Sequence, residues 1–305
     1  MALPSDVIVA VTETAGEPDP IEALIAARVP RKKSPKDVVR LIPLGLCVAW
    51  LALVIFGAIA ADWLPLQDPA AVNPVDRLQG PSSAHWFGTD NLGRDLFSRS
   101  VYGSRVSLIV STASVAIGLT IGGMLGIVAG YLRGKADGFI SWLIDVILSF
   151  PGLVLLIALV AFLGPGLRNI SVALGFLAIP IYARLARAHS LSVSGEEYVL
   201  AARAGGSGRI RILTREIMPN VLPSILAYGL VAMSLAIVIE GSLSFLGLST
   251  SIPTPSWGGL IANGQAFLRE SASGVIIPAA VLCLTVLSLN VIGEKARRRF
   301  EVGGG

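Results

Sequence analysis

The sequence predicts an all-α integral membrane protein, and three observations carry that prediction. Of 305 residues, 53% are hydrophobic and only 14% are charged, with a mean hydropathy of +0.74. A soluble domain carries roughly a quarter charged residues. Apolar runs of about 20 residues, the length needed to cross a hydrocarbon core about 30 Å thick, recur along the chain. The basic residues concentrate in alternate connecting segments, the pattern of a multi-pass protein.

Residues 1–40 precede the first run as a mostly polar tail containing Arg28, Arg31, Lys32, Lys33, Lys36 and Arg40. The first run is too long for a signal-peptide core, so the tail is expected to lie in the cytoplasm. Six runs are then predicted as spans: Leu41 to Ala61, Val106 to Tyr131, Ile140 to Leu163, Ile170 to Tyr182 extended toward Ala188, Leu222 to Leu246, and Val275 to Ile292. Arg184 and Arg187 make one end of the fourth polar.

Residues 63–103 form a long extracytoplasmic segment in which Pro65, Pro69, Pro74 and Pro81 forbid continuous helix. Asp90, Asn91 and Gly93 are turn formers, and Asp95 to Arg105 reads as an amphipathic helix lying at the membrane surface before the second span. Arg133 and Lys135, the stretch around Arg209, and Lys295 with Arg297 to Arg299 mark inner segments. The alternation puts both termini in the cytoplasm, with residues 294–305 as a basic tail.

Within the second span Gly118, Gly122, Gly126 and Gly130 recur every four residues and bare one stripe of the helix. Such stripes let two helix backbones touch. Pro151 breaks the third span, and Pro180 is expected to interrupt the fourth. Asp145 and Glu240 are the acidic residues within spans. Asp145 is placed to pair with basic residues of an inner loop, and Glu240 is placed near the outer side, close to water. Each is either a structural partner or a lining of a polar pathway. With no further intramembrane carboxylates, an ion-driven relay is disfavoured. Nor do the halves of the chain repeat, as they do in many secondary transporters.

Cys47 and Cys283 both fall in spans, and His85 and His189 lie far apart, so neither a disulfide framework nor a metal site is supported. No phosphate-binding Gly-rich loop with Lys-Ser/Thr occurs, so the chain is not expected to hydrolyse ATP.

The polar stretch Glu196 to Asn220 separates two apolar runs. Ser194 is expected to cap a short helix, with Glu197 completing a capping box. Gly205 and Gly206 end it in a turn that tolerates left-handed backbone. A second helix then runs from Ser207 through Arg209 to Met218, with Pro219 ending or kinking it. A pair this small buries no core of its own and needs a partner surface.

"LAARAGGSGRIRILTREIMP" resembles the EAA motif of the membrane subunits of bacterial ATP-binding-cassette importers, in the variant of the dipeptide, oligopeptide and nickel branch. Ala201, Ala202, Gly206 and Pro219 match it, Met218 stands where Leu is usual, Leu200 replaces the motif glutamate and Glu216 the isoleucine. Glu197 and Glu216 are therefore the two candidates for the glutamate's role. "FGTDNLGRDLFSR", Phe87 to Arg99, resembles a signature of the C-type permease subunit of that branch.

The resemblance, covering about residues 40 to 295, implies a type I importer permease fold: one N-terminal helix, a five-helix core over 104–293, and a coupling helix within 195–218. It implies that Glu197, Ala201, Ala202, Gly205, Gly206, Arg209, Glu216 and Pro219 contact a separate ATPase. It also implies a paralogous membrane subunit, two ATP-binding subunits using ATP and Mg, an extracytoplasmic solute-binding protein, and lipid as partners. Neither nucleic acid nor a cofactor of the chain's own is implied. The expected cargo is a di- or oligopeptide, with nickel or another small solute as the alternative within the branch. An ATPase anchor without a pathway is the alternative outside it.

Overall fold

A computed structural model describes residues 35–248 and 254–302, which leaves Arg28, Arg31, Lys32 and Lys33 of the N-terminal tail outside the described residues. The chain divides into two units, Met1–Pro43 and Leu44–Gly305, and the architecture below is that of the second. Helix α1 (Pro35–Ala60) is followed by an irregular segment whose one regular turn, Pro74–Asp76, is capped by Asn73. The proline-rich composition accounts for this path, since each ring removes a backbone donor.

Helix α2 (Leu96–Ile117) passes through a wide turn at Gly118–Gly122 into α3 (Gly123–Leu132), one helical rod of 37 residues containing an apolar window. The stretch from Asp95 to Arg105 is thus no separate surface helix. Asp95 caps α2 by accepting from the Ser98 N–H at 2.7 Å, and no proline intervenes before Gly118. Its polar side is buried too: Ser100, Ser104, Ser107, Ser111 and Ser114, spaced four, three, four and three apart, form one covered stripe.

Helices α4 (Gly134–Leu148) and α5 (Gly152–Leu163) meet at a bend of 83° where Pro151 stands. Helix α6 (Leu167–Val193) continues unbroken through Pro180, which overturns the expected interruption. Only one backbone bond is lost there, and packing on both sides holds the helix. Short helix α7 (Glu197–Ala204) precedes α8 (Arg209–Ile212), a wide turn at Leu213–Ile217, and α9 (Met218–Phe245). Arg209 to Phe245 is one continuous helical stretch containing a window apolar enough to span a membrane. The expected second cytoplasmic helix ending at Met218 is instead the root of the fifth span, because the wide turn absorbs the donor missing at Pro219. Helix α10 (Trp257–Gln265), capped by Ser256, and α11 (Ser273–Val302) complete the described residues.

Among the described residues, five helices are long and apolar enough to cross a membrane, and the bent pair α4–α5 brings the number to six. Packing fixes the sense of several. An added methyl on Gly118, Gly122, Gly126 or Gly130 would meet Ala178, Tyr182, Ala186 or Ser190 respectively, at 2.6 to 3.0 Å, a constant offset of 60 residues. The α2–α3 rod and α6 therefore run parallel, so α4 and α5 must carry the chain back between them. Gly293 faces Val231 whereas Gly241 faces Leu282, so α9 and α11 are antiparallel.

Candidate functional site

Little of α7 is buried, and that little is firmly held. Val199 is wholly buried, in a cluster with Ile127, Tyr131, Tyr182, Ile212 and Ile217, so α3, α6, α7 and the α8 root share one apolar knot. Burying such side chains is worth roughly 1.5–3 kcal/mol each. The rest of the helix faces out. Tyr198 and Leu200 are 42% and 49% exposed, Ile210 beyond the turn is 79% exposed, and Glu197, Ala201, Arg203, Gly205, Gly206, Arg209, Arg211 and Arg215 are exposed beside them. Ala202 and Glu216 are half-buried, and Pro219 is exposed at the start of α9.

The two ends of α7 differ from what spacing suggested. Ser194 makes no capping box with Glu197: its hydroxyl donates back to the Ser190 carbonyl, and Glu196 occupies the cap position without a side-chain bond. The reason is the length of α6, which runs on to Val193 and offers the serine a nearer acceptor. At the other end only Gly206 is left-handed, with φ +79°, while Gly205 keeps φ −73°. The Ser207 and Gly206 N–H groups donate to the Ala202 and Arg203 carbonyls, both at 3.1 Å, a closure that requires the positive φ. Burial raises the Tyr198 hydroxyl above its ordinary pKa, with the charges of Glu196 and Glu216 adding to it. The two acids thereby share a neighbourhood across the turn.

Along the bundle, the four glycines abut α6 as described. Asp145 accepts from Arg184 at 2.7 Å and Asp137 from Arg187 at 2.8 Å, so the partners come from α6 and not from a connecting loop. Glu240 is fully buried and accepts from the Ser107 hydroxyl at 2.9 Å, which corrects the placement near water. Helices α2 and α10 cover that end of α9, whose Gly241 lies against Gly258.

Neither acid lines the apolar cavity of about 350 Å³ at the α4–α5 bend, walled by Leu156, Leu174, Leu177, Tyr182, Tyr228 and Ala236. The Tyr182 hydroxyl is buried there without a hydrogen-bond partner among the described residues. The cavity and the serine stripe were both missed by reading hydropathy, although the three-and-four spacing of the serines is visible in the sequence.

Residues 122–301 match the family model described as binding-protein-dependent transport system inner membrane component. The chain belongs to this family. As an inner membrane component it shares 38% identity over 87% of its length, and 86% of the relative's, with the dipeptide transport system permease protein DppC of Alkalihalophilus pseudofirmus. It is likewise 38% identical to the probable D,D-dipeptide transport system permease protein DdpC of Escherichia coli, over 81% of this chain and 83% of the relative. With the glutathione transport system permease protein GsiD of Pectobacterium atrosepticum the identity is 39%, over 81% and 83%.

Among solved structures, the inward-facing MetNI methionine ABC transporter matches with a TM-score of 0.56 at 19% identity, over 66% of this chain and 96% of that one. The inner membrane component therefore has the fold of an ABC importer permease. The family model starts inside the glycine seam, at residue 122, whereas the match to the DppC relative extends over 87% of the chain.

Proposed function

We propose that this permease forms half of the pathway by which an ATP-driven importer moves di- or oligopeptides across the cytoplasmic membrane. The other half would come from a paralogous membrane subunit, and a solute-binding protein outside the membrane would deliver the cargo. Two cytoplasmic subunits would use ATP and Mg and grip α7, and both termini would share their side of the membrane. The observation that carries this reading is α7 itself, an exposed helix rooted by Val199 in a knot that joins three spans. The basic residues Arg203, Arg209, Arg211 and Arg215, next to Arg133 and Lys135, favour the cytoplasm for that end. Peptide cargo rests on relatives named for dipeptides, D,D-dipeptides and glutathione.

A transporter of this kind works because ATP binding shifts the membrane subunits only by the difference in contact between two states, so the gripped helix must keep its shape. The test is Gly206→Val in the assembled transporter. No atom lies within 4 Å of the position an added carbon would take, so the change acts through backbone alone. A left-handed residue with a branched side chain costs about 1–2 kcal/mol. Insertion and ATP hydrolysis should persist while peptide uptake per ATP falls about tenfold, the factor that 1.4 kcal/mol corresponds to. Wild-type uptake by this variant would refute the role of the handle.

A further inference from the structure

At the end of the bundle away from α7, a chamber of about 500 Å³ opens between the start of α2, the Pro165 turn, the end of α9 and α10. Its lining includes Arg94, Arg99, Ser244, Ser256 and Asn263 and, among the described residues, no acidic residue. Both arginines are almost wholly covered, at 5% and 3% exposure. One carboxylate serves them both. Asp90 Oδ1 accepts from the Leu92 and Arg94 N–H groups at 2.8 and 3.0 Å, and Oδ2 accepts from Arg94 Nε at 2.7 Å. Arg99 Nη1 donates to the Pro69 carbonyl at 2.6 Å, but its Nε has no hydrogen bond and stands 3.5 Å from the Asp90 oxygen already given to Arg94. The next carboxylate, Asp95, is taken by His85 and the Ser98 N–H.

Two covered guanidinium groups thus share one carboxylate beside an open polar chamber. A buried charge without a full counter-charge is costly, and the group that matches a planar guanidinium best is another carboxylate. We infer that the chamber holds the carboxylate of the transported peptide on Arg94 and Arg99 as cargo enters the permease. This rests on the reading of the chain as a peptide importer subunit. With no acid in the lining, the chamber engages the anionic end of a peptide and leaves its amino group unread, and it disfavours a bare metal cation.

The experiment uses the assembled transporter in vesicles with its solute-binding protein, dialanine and glutathione as cargo probes, and the variants Asn263→Asp and Asn263→Leu. Asn263 is exposed on α10, so both variants should fold. The first sets a competing carboxylate before the arginines, and the second fills the space without charge. Maximal dialanine uptake should fall tenfold or more in Asn263→Asp and less in Asn263→Leu, with the binding-protein concentration for half-maximal ATPase stimulation unchanged. In saturation-transfer measurements without binding protein, N-acetyl-dialanine should contact the wild-type transporter and dialanine amide should not.

Equal uptake by Asn263→Asp and wild type overturns the inference. So does a tenfold rise in the half-maximal binding-protein concentration with full uptake at saturation, which would assign the carboxylate to the docking protein. Equal contact by the two dialanine derivatives also overturns it. If the wild type imports neither dialanine nor glutathione, the peptide reading itself has failed, whatever the variants do.

Discussion

Helix α6 is held differently on its two sides. Toward α2 and α3 its backbone rests directly on four glycines, with Ala178, Tyr182, Ala186 and Ser190 filling the grooves. Toward α4 it extends guanidinium arms, Arg184 to Asp145 and Arg187 to Asp137. The first contact has no slack, because a single added carbon has nowhere to go. The second is made through long side chains that can keep their partners while the backbones shift. A bundle built this way has one rigid seam and one adjustable one, and the adjustable seam belongs to the spans bent by 83°.

The sharpest way to break the contrast is to add bulk on both sides. Gly126→Leu should cost about 3 kcal/mol or more by overpacking the seam and abolish a monodisperse peak in detergent size-exclusion chromatography. Gly138→Leu on α4, where nothing lies within 4 Å, should stay within about 0.5 kcal/mol of wild type in thermal unfolding. Equal effects would show that the seams do not differ.

Next in size is Ser107→Ala, which removes the hydroxyl that α2 offers to buried Glu240. A loss of about 1–3 kcal/mol in thermal stability is expected, and Glu240→Gln in the same background should recover part of it. Asp145→Asn probes the adjustable side, where both partners of the pair are more than half exposed. Its cost should be no more than about 1 kcal/mol, and smaller still in high salt. The smallest effect should come from Asp62, whose carboxyl is held below its ordinary pKa chiefly by the hydrogen bond from Arg105. A depressed carboxyl stabilises above its unfolded pKa and loses that contribution as pH falls through the folded one. Wild type and Asp62→Asn should therefore differ slightly at neutral pH and converge in acid, measured as melting temperature against pH.

The glycine seam was readable because its signal is local: four identical residues at helical spacing admit one face and one purpose. The turn at Gly206 was readable for the same reason. What escaped was set by distant partners. Ser194 and Pro219 carry genuine stop-and-start signals, but α6 and α9 run longer than hydropathy suggests and reassign both residues. Serine is near neutral on a hydropathy scale, so the stripe from Ser100 to Ser114 vanished into an apolar average although its spacing is regular. Arg94 and Arg99 come to share a chamber with Ser244 and Asn263 only once α2, α9 and α10 have packed, and no window of sequence contains them together.

Because Val199, Ile212, Tyr131 and Tyr182 share one knot, α7 cannot move as a unit without disturbing its contacts with α3, α6 and the α8 root. The glycine contacts then forbid α3 and α6 from sliding past each other. The elbow at Pro151, whose spans meet α6 through ionic arms instead of glycine contacts, lies outside that close-packed seam.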